Sequence, residues 1–186
     1  MSATSYETRG GIRVQRTVED IPVANAIEPV VQALDTHRGV LLASSYEYPG
    51  RYTRWDMGFV DPPLVLVTRG RTFRIEALNE RGRVLLPPIA DALRSSPAVE
   101  TVAIAEAVVE GTVRAPTGRF PEEERSRQPS VFSLLRVLLD LFRHPEEPHL
   151  GLYGAFGYDL AFQFEPIRPR LPRPEEIGRA SCRERV

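Results

Sequence analysis

The spacing of apolar residues along this chain changes period several times, and each change predicts an element. Ala24, Ile27, Val30, Val31 and Leu34 recur at helical spacing and predict a helix over residues 24–34. Asn25 is placed to cap it, with Glu28 three residues on, and Pro29 fits only in the first turn, where a missing N–H loses no acceptor. Residues 39–44 form a short apolar run ending in hydroxyl side chains, which suits a buried strand. A polar, aromatic loop follows. From residue 64 to 86 the period becomes two. Residues 64–68 and 72–78 predict strands joined at Arg69-Gly70-Arg71, with Phe73, Ile75 and Ala77 on one face and Thr72, Arg74 and Glu76 on the other. A turn at residues 79–82 leads to a third strand at 84–86, giving an antiparallel meander with one wet face.

Pro87 and Pro88 are expected to open a helix that runs to about Arg94 and is closed by Pro97. Residues 101–113 alternate well enough for another strand, although their alanines leave a helix open. Residues 114–130 surround the charges Glu122-Glu123-Glu124-Arg125 with prolines and a glycine, the composition of an exposed loop that burial cannot order. Ser130 then caps an amphipathic helix carrying Leu134, Leu135, Leu138, Leu139 and Phe142 on one face and ending before Pro145. Residues 150–156 read as a strand interrupted by glycines. Helices and hairpins in irregular alternation predict an α+β fold, an antiparallel sheet with packed helices, rather than a parallel doubly wound sheet.

Composition narrows the function classes. With 42% hydrophobic and 26% charged residues among 186, the chain can bury one core, placed at residues 10–175 behind a disordered amino terminus of residues 1–9. A net charge of -1 from 24 basic and 25 acidic residues gives no bulk reason to expect nucleic acid or an anionic membrane as partner. No apolar run approaches the roughly 20 residues that span a bilayer, and the polar start lacks a signal peptide's apolar region, so a cytoplasmic location is expected. The single cysteine, Cys182, agrees with a reducing compartment. It falls in residues 176–186, which lack apolar periodicity and whose codons can be written to resemble a sequencing adapter read in frame. That segment is expected to be a non-native tail, with the coding sequence ending near Glu175.

The usual sites of chemistry are missing. There is no phosphate-binding Gly-x-x-x-x-Gly-Lys, no Gly-x-Gly-x-x-Gly after a strand, no nucleophile elbow and no metal-spaced His or Cys cluster. His37, His144 and His149 read as solvated or hydrogen-bonded side chains. Glu122, Glu123 and Glu124 read as a solvated charge run, since consecutive acids on a loop hold an ion poorly. Arg69 and Arg71 read as charges that keep a hairpin turn in water. No catalytic and no metal-binding residue is assigned.

Four segments nevertheless occur together in order: Leu41-Leu42-Ala43-Ser44, then Pro49 to Asp56, then Asp61-Pro62-Pro63-Leu64, then Gly151-Leu152-Tyr153-Gly154-Ala155-Phe156-Gly157-Tyr158-Asp159. They resemble the amino-terminal part of anthranilate synthase component I. The tyrosine-rich loop and Phe162-Gln163-Phe164-Glu165-Pro166 resemble the form fused to a glutamine amidotransferase. The resemblance spans roughly residues 10–174. It implies a parent enzyme that converts chorismate and ammonia to anthranilate and pyruvate with Mg²⁺ in tryptophan biosynthesis. Its chorismate-binding half and amidotransferase domain would lie on the same polypeptide, so this truncated stretch alone is not expected to be active. Aminodeoxychorismate synthase, which shares the substrate, and a free-standing amino-acid-binding regulatory module are the rival readings.

What the resemblance places in this stretch is part of the feedback site for L-tryptophan. The family's Leu-Leu-Glu-Ser gives Ser44 a hydroxyl for the ligand's amino or carboxylate group, while Ala43 stands where the family has Glu, so that either another acid such as Glu47 or Asp56 substitutes or regulation is weaker here. A basic position of the family falls on Arg54 or Trp55, according to one gap. Equally, Ser44 can simply end a strand and Trp55 can fill core. Gly151, Gly154 and Gly157 either admit a ligand or let another element pack close, the latter being favoured by their place in the family's sheet framework.

Overall fold

The computed structural model describes residues 1–164, apart from 23, 25, 45–47, 50, 52–54, 119 and 120. Residues 165–186, with the tail expected at 176–186, lie outside that set. In chain order the elements are β1 (Ser2–Glu7), β2 (Arg13–Val18), α1 (Glu28–Leu34), β3 (Gly39–Ala43), β4 (Asp56–Val60), β5 (Leu64–Arg69), β6 (Thr72–Ala77), α2 (Glu80–Arg94), β7 (Val99–Ala105), β8 (Val108–Val113) and α3 (Val131–Phe142). Short 3-10 turns occupy Glu122–Arg127 and Tyr158–Gln163. The fold is α+β with antiparallel sheets, as the pattern predicts. Among the described residues no helix is long and apolar enough to cross a membrane.

Period-two alternation builds the β5–β6 hairpin where it was expected. Phe73 and Ile75 are buried, while Arg74 on the opposite face pairs with Glu76 and Glu110. The strand beside β6 is not residues 84–86 but β8, with β7 outside it, in the order β5-β6-β8-β7. The strand expected over residues 101–113 is thus a hairpin, broken at Glu106-Ala107.

Residues 84–86 are helical because a stronger periodicity overrides the short apolar run. Gly82, Leu86, Ile89, Ala90 and Leu93 form one buried stripe of α2, and that stripe runs straight through Pro87 and Pro88. An interior proline costs about 3 kcal/mol through its lost amide and ring clash, which burial of four apolar side chains at roughly 1 to 3 kcal/mol each offsets. The helix opens at Asn79, not at the prolines, because the Asn79 side chain accepts a hydrogen bond from the Gly82 amide at 3.1 Å.

α3 supplies the other half of the core, with Leu134, Leu138 and Leu141 buried beside Leu86, Ile89 and Leu93 of α2 and Phe73, Ile75, Val109 and Val113 of the sheet. The buried stripe is rotated from the expected one: Leu141 is inside and Leu139 is exposed. Residues 114–130, expected as an unordered loop, contain the 3-10 turn and end buried at Gln128 and Ser130. Arg71 holds that end, donating from Nη1 to the carbonyls of Arg114 and Pro129, both at 2.8 Å. It is a clip rather than a solvated charge.

Two further differences matter for function. α1 begins at Glu28 rather than at residue 24, since the ring of Pro29 has no place deeper in a helix, and no α1 residue is buried. Residues 150–156 form no strand. A strand requires a ladder partner, and among the described residues nothing stands within 4 Å of a Cβ built at Gly151, Gly154 or Gly157, so these glycines permit no close packing here.

The amino terminus, expected to be disordered, is strand β1, paired with β2 over six residues. Its turn clasps α3. Thr8 Oγ1 and the Gly10 amide both donate to the Leu141 carbonyl, at 2.8 and 3.0 Å, and the Arg9 amide donates to the Arg143 carbonyl at 2.8 Å. These are acceptors that a helix end leaves open. A Cβ on Gly10 would stand 2.4 Å from Leu141 Cδ1 and 2.6 Å from the Leu141 carbonyl oxygen. We therefore expect Gly10→Ala to destabilise the protein by about 1 to 3 kcal/mol, the usual cost of overpacking, as a lowered urea midpoint. An unchanged midpoint would show that the clasp contributes nothing.

Candidate functional site

The sequence-derived site falls on the β3–β4 hairpin, and period two decides what it can present. Ala43 pairs with Asp56 and Gly39 with Val60. The Ser44 amide then donates to the Trp55 carbonyl at 2.9 Å, carrying the ladder one step further. Alternation puts Gly39, Leu41 and Gly58 on one face and Val40, Leu42, Met57 and Phe59 on the other. α1 lies on the first face, where a Cβ at Gly58 would be 3.0 Å from Val30 Cγ1 and one at Gly39 would be 2.8 Å from Leu34 Cδ2. β3 is half-buried at its start and exposed at its end, not the buried strand expected. β4 lies within the segment read as loop.

Ser44 and Trp55 are therefore neighbours at the end of the hairpin where residues 45–54 connect its two strands. Ser44 is half-buried and Trp55 is 52% exposed, so Trp55 does not fill core. Arg54 and Glu47 lie outside the described residues. Asp56 is directly opposite Ala43, so a carboxylate stands across the ladder from the position where Glu was missing. Cross-strand partners share a face whereas consecutive residues oppose. A ligand touching both the Asp56 carboxylate and the Ser44 hydroxyl must therefore sit across the hairpin's end rather than on either face. Such an end offers a hydroxyl, an indole and a carboxylate, groups suited to a small zwitterion with an apolar body.

Contacts at its base and on its outer face join the hairpin to the rest of the protein. At its base Asp61, with φ 51°, turns the chain into β5. Arg81 Nη2 donates to the Asp61 carbonyl at 3.0 Å, and His37 Nδ1 lies 3.0 Å from both Asp61 carboxylate oxygens. On its outer face the Phe59 ring meets Tyr153, with centroids 5.6 Å apart.

A second cluster of ionisable groups ties β1 and β2 to the segment after α3. Glu147 is buried, accepting from Arg16, from Tyr6 Oη at 3.4 Å and from the His149 amide at 3.1 Å. His144 packs on the Tyr6 ring at 4.4 Å. Together these fasten β1 and β2 to the segment after α3, beside a groove of about 640 Å³ lined by Arg136, Leu139, Arg143 and Leu150. Among the described residues no group of three or more His, Cys, Asp or Glu side chains is placed to hold a metal ion. Glu124 pairs with Arg127, at 3.6 Å on the surface.

Burial alone would push the Glu147 carboxyl up, but the His149 amide, the Arg16 guanidinium and the Tyr6 hydroxyl together hold it below its ordinary value. A carboxylate with a depressed folded-state value binds fewer protons folded than unfolded, so its contribution is complete above the ordinary carboxylate range and lost as pH falls through the folded value. Urea midpoints measured from pH 7 downward should therefore decline more steeply for the wild type than for Glu147→Gln. Parallel acid limbs would remove Glu147 from the pH dependence.

Comparison with known proteins gives two relatives. Over 171 residues, 92% of its length, the chain is 54% identical to the anthranilate synthase of Azospirillum brasilense. Over 139 residues, 68% of its length, it is 34% identical to the anthranilate synthase component 1 of Serratia marcescens. It spans 23% of the first relative and 24% of the second. No family model matches the chain, and no solved structure matches it.

Proposed function

This chain belongs to the anthranilate synthase family, and from that premise we propose that it is the amino-terminal, effector-binding stretch of such an enzyme, with L-tryptophan as its ligand. The observation that carries this reading is the pairing of Ser44 with Trp55 at the hairpin end, with Asp56 across from Ala43. Ser44 hydrogen-bonds a charged group of the amino acid, Asp56 faces its ammonium in place of the family's Glu, and Trp55 lies along its apolar body. Arg54 is the alternative basic partner for the carboxylate.

On this reading the chain alone performs no chorismate chemistry. The parent's Mg²⁺ and chorismate belong to a carboxy-terminal half of the same polypeptide, and ammonia comes from a glutamine amidotransferase domain beyond it. No Mg²⁺ ligand is assigned to this stretch; among the described residues no three His, Cys, Asp or Glu side chains cluster where they could hold a metal ion. Both relatives are named anthranilate synthases, which supports this assignment over aminodeoxychorismate synthase.

One hydrogen bond to a charged ligand group is worth about 1.5 to 3 kcal/mol, or roughly ten- to hundredfold in affinity. Tryptophan inhibits only as far as it binds the inactive arrangement more tightly. In the full-length enzyme Ser44→Ala should therefore raise the half-inhibitory tryptophan concentration about ten- to hundredfold and leave uninhibited turnover intact. An unchanged inhibition curve would take Ser44 out of the site, and equal losses of turnover and inhibition would make it a fold residue.

A further inference from the structure

The segment that follows α3 runs across the protein without joining a sheet, yet it is fastened at both ends and in the middle. At its start Glu147 is held by Arg16 and Tyr6 of the β1–β2 hairpin, and the His149 amide donates to Glu147 Oε1 at 3.1 Å. At its far end Gln163 spans two elements. Its Oε1 accepts from the Val131 amide at the start of α3, at 3.1 Å, and its Nε2 donates to the Gly70 carbonyl in the β5–β6 turn, at 2.6 Å. Phe156 and Phe164 add ring contacts to Phe132 of α3, at 5.4 and 5.9 Å.

Between those anchors the segment grips something else. The Tyr153 ring meets Phe59 of β4, and Tyr153 Oη donates to the His149 carbonyl at 2.7 Å, bracing the ring from its own strap. β3, β4 and α1 pack chiefly on one another. Gly151, Gly154 and Gly157 flank Tyr153, and a Cβ built at any of them would meet nothing within 4 Å.

We propose that residues 149–163 form a strap that couples the β3–β4 hairpin to the body of the protein through the Tyr153–Phe59 grip, and that an amino acid bound beside Ser44 and Trp55 tightens it. This rests on the reading that the hairpin end binds an amino acid. Ligand contacts at Ser44 and Trp55 add to a β3–β4 ladder that already runs from Gly39–Val60 to Ala43–Asp56, and so restrain Phe59 on the same ladder. A fixed Phe59 holds Tyr153, and the order reaches Gln163 and the start of α3. Coupling of this kind is reciprocal, so a strap that grips the hairpin also raises its affinity for the ligand.

The test is hydrogen exchange of the intact chain with and without L-tryptophan, alongside direct binding by equilibrium dialysis. In the wild type, tryptophan should slow exchange over residues 149–163 as well as in β3 and β4. Tyr153→Ala should still bind, about two- to tenfold more weakly, as expected for losing one aromatic pair, and exchange in the strap should no longer respond. Tyr153→Phe keeps the ring on Phe59 and should keep the response, separating the grip from general damage. Binding without any change in the strap overturns the coupling and leaves the ligand assignment standing. No binding by the wild type overturns both. A response that survives in Tyr153→Ala shows that order travels by another route.

Discussion

A helix cannot satisfy its own ends, and in this protein the ends of α3 are satisfied by segments far away in the sequence. The Leu141 and Arg143 carbonyls at its carboxy-terminal end accept from the turn after β1, 133 residues earlier in the case of Thr8 and Leu141. The Val131 amide at its other end donates to Gln163. Ser133 reaches back to the Ser130 amide at 3.3 Å, while the buried Ser130 Oγ finds no hydrogen-bond partner among the described residues. Unpaired backbone groups in a buried setting are costly, so the β1–β2 hairpin and the turn at Tyr158–Gln163 are held to α3 by need as well as by apolar contact. Because α3 also packs against α2 in the core beneath the four-stranded sheet, these parts form one body.

The β3–β4 hairpin stands apart from that arrangement. Its elements bury no residue fully, its glycines let α1 lie close, and it reaches the body through Asp61 at its base and Phe59 on its outer face. An effector site gains from such placement. A ligand can alter the equilibrium of a lightly held element at small energetic cost, whereas a site inside the core would have to work against the whole of the packing.

The sequence revealed most where one period ran uninterrupted. β5, β6 and α3 were legible because alternation or a leucine stripe continued for several residues, and the wet face carrying Arg74 and Glu76 followed from the same alternation. α2 was misread because Val84-Leu85-Leu86 resembles a strand when the pattern is broken at Pro87, although Leu86, Ile89, Ala90 and Leu93 continue across it. The β7–β8 turn, Glu106-Ala107, carries no glycine or asparagine to mark it. Residues 150–156 had the composition of a strand but no partner, and pairing cannot be read from one segment. Ser44, Trp55 and Asp56 were reached through resemblance, whereas their mutual placement came from the ladder. Gln163 and Glu147 gave no signal as clasps, since each owes its role to partners distant in the chain.

The division between a body centred on α3 and a separately attached hairpin can be measured directly by native-state hydrogen exchange in rising urea. Amides of α3, β1 and β2 should exchange together, at the same high denaturant dependence as β6 and β8, while those of β3 and β4 exchange earlier through a smaller opening. Exchange of β1 and β2 ahead of α3, or of β3 and β4 in step with the core, would contradict this division.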